Sequence, residues 1–316
     1  MNKWLKKMIP LLLIMILAIV GCTKGHDKKD GAADQEKKSI VTSFYPIYAM
    51  TKEVVGDTQK VLMIQSGNGI HGFEPSAQDV QAIYDSDVFI YHSDILESWA
   101  RSVKESADDS GTQMIEASSD LELKKVPGLE DVQASEGMDE STLYDPHTWL
   151  DPKLVADEVQ DIAKELGKIY PEYAEVYQEN AKKLAEKAQA IVDEYTPKFA
   201  KLSQKTFVTQ HTAFYYLAER FGLKQLGIAG ISSEVEPSAR QIAEIQDFVK
   251  EYKVKTIFSE ANVSTHTAEV IAKETGAELK VLEPLEADPR NNKPYLENLE
   301  NNIKILYESL QQESKK

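Results

Sequence analysis

A single cysteine, Cys22, stands in 316 residues, so the chain can close no internal disulfide. Basic residues are outnumbered: 36 Lys and Arg face 52 Asp and Glu, a formal net charge of −16. A surface of that sign repels nucleic acid and anionic lipid, and it mildly concentrates cations. A membrane-spanning helix needs roughly 20 apolar residues; the apolar run at residues 8–20 has only 13. The phosphate-cradling pattern G-x-x-x-x-G-K-[ST], the nucleophile elbow G-x-S-x-G and the zinc-protease pattern H-E-x-x-H are all missing. Nucleotide chemistry, serine-type acyl transfer and that form of metal hydrolysis therefore find no support. Internal repeats are absent too.

What is present begins with an export signal. Lys3, Lys6 and Lys7 precede the short apolar run, which ends in Ile-Val-Gly-Cys at residues 19–22. This resembles the bacterial lipobox, in which the leader is cut before the cysteine and the thiol receives lipid. Cys22 is thus the expected lipidation site, with residues 1–21 as signal peptide. Diacylation anchors a protein stably where one acyl chain does not, so the mature chain is expected at the outer face of the cytoplasmic membrane. Without the three leader lysines the balance is 33 basic against 52 acidic residues, a formal charge of −19. Residues 23–38 hold no apolar side chain larger than alanine, cannot build a core, and with Cys22 read as a flexible tether over 22–38. His26 lies inside that tether and is not expected to touch metal.

From residue 39 short β-branched runs alternate with helical stretches. Strands are expected at 39–45, 60–64, 87–91 and 112–116, and helices at 47–55, 75–84 and 95–106. This order argues for a mainly parallel sheet covered by helices. Residues 119–144 break the rhythm as a long loop. An amphipathic helix at 153–169 follows, then a long helical stretch at 172–203, with Pro197 expected to kink its last turns. A second alternating block has strands at 206–210, 226–228, 254–260 and 278–283, and helices at 213–221, 238–252, 265–275 and 295–310. The expected architecture is α/β: two lobes (39–171 and 204–316), each a mainly parallel sheet flanked by helices, joined by one long rigid helix (172–203).

Ligands of open α/β sheets bind beyond the carboxyl ends of strands. His71 follows the second strand after a Gly-rich turn, His147 lies in DPHTWLDP (145–152), and His211 directly follows TFVTQ. Glu286 lies in EPLEADP, just past the last strand. Three imidazoles and one carboxylate can complete a tetrahedral zinc site. Taken singly, each loop histidine is more often exposed and idle, and His92 and His266 stay on that reading. Glu260, at the end of VKTIFSE, competes with Glu286 on position. Glu74, Asp145, Asp151 and Trp149 are candidates to support the ligands, since metal-bound histidines usually donate their other N–H to a carboxylate or carbonyl. Because the ligands must be neutral imidazoles, affinity is expected to fall as pH drops through about 6.5.

The ordered motifs VTSFYPIYAMTKEVVGD, HGFEPSAQDV, DPHTWLDP, TQHTAFYYLAERFGL, EVEPSARQIAEI and IFSEANVSTHTAEVIAKETGAEL carry a resemblance over residues 40–316. The chain is similar to the solute-binding metal receptors that feed zinc or manganese ABC importers. Within that family it looks most like streptococcal zinc-binding lipoproteins of the laminin-binding type. The resemblance implies two lobes bridged by a rigid helix with metal between them. It puts ligands at His71, His147, His211 and a carboxylate of the EPLEADP loop, Glu286, with Glu283 as the alternative. The third imidazole, His211, favours Zn2+ over Mn2+, which prefers harder oxygen donors. Residues 119–144 lack the His-rich loop that many zinc members carry.

The implied function is a monomeric zinc receptor that passes its ion to a membrane permease powered by an ATPase. An enzyme is disfavoured, because a fourth protein ligand closes the position a catalytic zinc keeps open for water. A surface adhesin binding host matrix such as laminin is the alternative reading.

Overall fold

A computed structural model describes residues 39–65, 69–126, 143–232, 237–261 and 263–315. The leader, Cys22, His26, the tether and most of the expected long loop lie outside the described residues.

The first sheet holds β1 (Ser39–Thr42), β2 (Lys60–Met63), β3 (Val88–Tyr91) and β4 (Gln113–Glu116) in the parallel order β2-β1-β3-β4. The second repeats the pattern with β5 (Thr206–Thr209), β6 (Lys224–Gly227), β7 (Thr256–Ser259) and β8 (Glu278–Val281), ordered β6-β5-β7-β8. Central strands are apolar on both faces because helices cover both: Val88, Phe89, Ile90 and Tyr91 of β3 are all fully buried. Alternation then sorts them. Ile40 and Val88 face the core shared with the long helices, while Val41 and Phe89 face an outer cluster with Trp99 and Val103. In the second lobe Phe207 and Phe258 turn inward, and Val208 and Ile257 outward.

The helices of the first lobe are α1 (Tyr45–Val55), α2 (Ala77–Tyr84), α3 (Ala100–Ser110) and α4 (Pro152–Ile169). The start of α1 cuts short the expected first strand, because Pro46 sits in its first turn, where a missing N–H costs nothing. Ser76 and Asp79 form a reciprocal capping box on α2. The helix expected at 95–106 begins later, at Ala100. Residues ahead of it are engaged otherwise: the Glu97 carboxylate accepts the backbone N–H groups of His92 and Ser93.

Helix α5 (Ala174–Ala200) is the linking element, 27 residues and about 40 Å at 1.5 Å per residue. Pro197 lies inside it, and the helix runs on to Ala200. Tyr177, Ala181, Leu184, Ala188, Ile191, Tyr195 and Phe199 repeat at three- and four-residue spacing and form its buried stripe. The second lobe adds α6 (Tyr215–Arg220), α7 (Ala239–Glu251), α8 (His266–Thr275) and α9 (Tyr295–Ser314), the last packed along α5.

The DPHTWLDP segment is tied to the second lobe at four points. Trp149 Nε1 donates to Pro284 O (2.8 Å), and Tyr295 Oη donates to Trp149 O (2.6 Å). Tyr216 Oη donates to Asp145 O (2.8 Å), and Arg220 forks onto Asp151 at 2.8–3.0 Å. Trp149→Phe keeps most of the ring but strands the buried Pro284 carbonyl, so it should cost about 1–3 kcal/mol in a denaturant titration. An unchanged midpoint would mean that this hydrogen bond contributes nothing to holding the lobes together.

Candidate metal centre

Each ligand candidate is placed by local chemistry that the sequence can explain. Asp151 accepts the N–H of Lys153 and caps α4, with Pro152 at its start, so chain direction changes abruptly after the turn Thr148–Leu150. His147 stands just ahead of that turn, its own N–H and its ring both anchored on Asp145 Oδ1 (2.9 and 2.7 Å). His211 leaves the end of β5, its carbonyl held by Thr209 Oγ1 (2.6 Å) and Gln225 Nε2 (3.1 Å). Its loop passes so close to β6 that only glycine fits at 227: a Cβ there would lie 2.3 Å from Thr212 Oγ1. Glu286 follows Leu285, a buried residue in the left-handed region (φ 56°). That conformation costs about 1–3 kcal/mol for a non-glycine residue, and it turns the loop so that the carboxylate enters the cleft.

The outcome is convergence. One donor atom from each of His71, His147, His211 and Glu286 lies within 4.8 Å of all the others. His71 Nε2 is 3.1 Å from His147 Nε2 and 3.4 Å from Glu286 Oε1. Glu286 Oε1 is 3.3 Å from His211 Nε2 and 3.8 Å from His147 Nε2. With metal–donor bonds of about 2.0–2.2 Å, the edges of a tetrahedral zinc site are about 3.4 Å. These separations therefore suit four donors sharing one small cation. His147 and His211 are fully buried, and His211 Nε2 and Glu286 Oε1, 3.3 Å apart, find no hydrogen-bond partner outside the four-residue group. Buried polar atoms without partners are costly, and a shared cation would satisfy both.

The outer ring nitrogens of two histidines are backed by carboxylates. His147 Nδ1 contacts Asp145 Oδ1, and His211 Nδ1 contacts Glu260 Oε1 at 2.5 Å. Such contacts fix the tautomer, leave Nε2 free for a metal, and raise its basicity. Glu260 thus joins the site as a supporter of His211 and not as a member of the four. Glu283, on the same loop as Glu286, turns away and accepts the Ala261 N–H (3.1 Å). Glu260 and Glu283 line a cavity of about 280 Å³ that also reaches Glu286. Of the other candidates, Trp149 and Asp151 build the interlobe ties and Glu74 is exposed. His266 is exposed, but His92 is fully buried in a polar network that sequence reasoning missed. The only available signal was its place at the end of an all-apolar strand.

Burial drives His147 down to about 4, against the pull of Asp145, so its imidazole is neutral at pH 7. Burial disfavours the charged form of His211 as well, but Glu260 and Glu286 overcome it and push the group up to about 10. Burial likewise acts against ionised Glu286, yet His211 and His71 hold it well below the usual carboxylate range. A cation must therefore displace a proton from His211 throughout the neutral range. Affinity should decline with falling pH from well above the 6.5 of a free imidazole, with about one proton released per ion at pH 7.5. Calorimetry in buffers of different ionisation enthalpy reads that proton directly; zero release would contradict a charged His211.

Known proteins resemble this chain over most of its length. Residues 40–309 match the family model described as zinc-uptake complex component A, periplasmic. This chain belongs to that family. The zinc-binding lipoprotein AdcA of Streptococcus pneumoniae is 37% identical over 317 residues, 97% of this chain and 62% of its own length. The chain thus spans under two thirds of that relative. A Zn(II)-bound variant of AdcAII from Streptococcus pneumoniae superposes with a TM-score of 0.82 at 59% identity, covering 87% of this chain and 98% of that one. The laminin-binding protein of Streptococcus agalactiae, described as bifunctional with adhesin and metal-transporting activity, gives 0.80 at 56% identity, covering 87% and 100%. The two-lobed architecture of parallel four-stranded sheets is shared with these structures.

Proposed function

We propose that this chain is the extracellular zinc receptor of an ABC importer. It takes Zn2+ as cargo on His71, His147 and His211 Nε2 and Glu286 Oε1, and delivers it to a permease driven by an ATPase. One observation carries the reading: donors from two lobes come within 4.8 Å of one another. Three imidazoles and one carboxylate make a borderline-soft set that suits zinc better than manganese. A four-donor set also leaves no protein-free position for an activated water, which argues for capture and against catalysis. Glu283 is the weaker choice of fourth ligand, because its carboxylate is engaged by the backbone of Ala261.

The reading includes a signal peptide (1–21), a diacylated Cys22 with tether (22–38), lobes at 39–171 and 204–316, and the linking segment 172–203. The receptor works as a monomer at the outer face of the membrane. Among the described residues no helix is long and apolar enough to cross a membrane; the proposed attachment is the lipid on Cys22. The test is elemental analysis of the purified soluble chain with a zinc/manganese competition titration, joined to growth of a deletion strain under zinc restriction. One Zn2+ per chain, preferred over Mn2+, with impaired growth supports the proposal; normal growth or preferred Mn2+ overturns it.

A second role, adhesion to laminin, is suggested by what is described for the Streptococcus agalactiae relative. Binding of immobilised laminin by the purified chain, with and without zinc, tests it.

A further inference from the structure

Among the described residues of the first lobe, the metal centre leaves the fully buried imidazole of His92 and carboxylates of Glu97 and Glu158 unused. They form a connected set beneath the loop that carries His147. His92 stands at the carboxyl end of β3, and its ring is packed edge-on against Trp149, centroids 5.1 Å apart. His92 Nε2 lies 2.8 Å from Thr148 Oγ1, and the Thr148 hydroxyl donates to Glu158 Oε1 on α4. A hydroxyl has one proton; given to Glu158, it leaves a lone pair for the Nε2–H of His92. His92 Nδ1 then faces Ser93 Oγ at 3.0 Å. Glu97 closes the other end by accepting the N–H of His92 (3.1 Å) and of Ser93 (2.9 Å). Thr148, itself fully buried, is the residue directly after His147.

Burying carboxylates and an imidazole in this way contributes little to stability, since desolvation offsets most of the attraction. The hydrogen bonds that join these groups fix their relative geometry, although Glu158 Oε2 makes none. We infer that His92, Thr148 and Glu158 are positioning residues: they brace the His147 turn between the end of β3 and the flank of α4, so that His147 Nε2 is held at its place in the tetrahedron before the ion arrives. From the second lobe the same segment is pinned through Trp149, Asp145 and Asp151. His147 therefore cannot shift to relax a poorly placed ion. The place of His147 in the donor geometry is set by a strut that never touches the metal.

This inference rests on the zinc-receptor reading, and its test separates the two. Zinc affinity is measured by chelator competition, and the d–d absorption of the Co2+-loaded chain reports donor geometry. Wild type, Thr148→Val, Thr148→Ser and His92→Asn are compared, with melting of each in a chelator. Thr148→Val removes the hydroxyl at nearly constant shape and should weaken zinc about 10-fold, within the range for partners that orient ligands, and alter the Co2+ band. Thr148→Ser, which restores the hydroxyl, should return both within about twofold of wild type. Should Thr148→Val fail to fold, His92→Asn must show the same loss and spectral change. If the variants melt lower without metal but bind zinc and absorb as wild type does, the network is merely structural and the inference fails. If wild type itself binds no zinc, the receptor reading fails first.

Discussion

His211→Ala is expected to weaken zinc binding by about 100-fold or more, while His266→Ala leaves it unchanged. Zinc sites with four protein ligands release on the order of 10–16 kcal/mol on binding. An even share per donor is about 3 kcal/mol, roughly two decades in affinity. His211 carries more than its own bond. It separates Glu260 from Glu286, and its removal leaves two nearly buried carboxylates facing a cavity without the imidazole between them. His266 is the proper control because it is exposed at the start of α8. His92, an equally idle histidine on sequence grounds, cannot serve, since it braces the His147 turn. Competition against a chelator of known affinity decides the matter. Equal, small losses for both variants would remove His211 from the site.

The second large effect is on heat stability. The donor atoms that converge come from residues 71, 147, 211 and 286, so an unfolded chain cannot gather them and an ion held by all four would bind the folded form alone. At free zinc a thousandfold above the dissociation constant, linkage stabilises the fold by about 4.1 kcal/mol. At about 2–4 °C per kcal/mol for a chain of this class, Tm should rise by about 10 °C. The rise should shrink sharply in His211→Ala at the same zinc concentration. A scan in which zinc and chelator give the same Tm would contradict binding between the lobes.

The alternation of strands and helices was readable because local forces set it. β-branched runs such as VFIY and TFVT are buried on both faces, and Ser76, Asp151 and Ser238 cap helices through side chains next to them in sequence. The boundaries that moved did so for reasons that periodicity does not show: Pro46 opens α1 early, and Glu97 reaches back to the end of β3 and delays α3. Within the site, His71, His147, His211 and Glu286 could be nominated because each follows a strand end or a sharp turn. The roles of Glu260 and His92 could not. A carboxylate in a chain with 52 acidic residues carries no signal, and a lone histidine after an apolar strand reads the same whether it is buried or exposed.

The amino-acid sequence alone settled which segments become strands and helices, and which side chains have the donor chemistry for a divalent ion. Periodicity, capping and side-chain type act over a few residues and need no partner at a distance. Which carboxylate joins the three histidines and which backs one of them was decided only on folding. Glu283 and Glu286 are three residues apart and chemically identical, yet one binds the backbone of Ala261 and the other enters the cleft. That choice depends on the positive φ of Leu285 and on the Trp149 contact to Pro284, a hydrogen bond spanning 135 residues. Packing between lobes, which no local pattern encodes, selects one carboxylate over its neighbour.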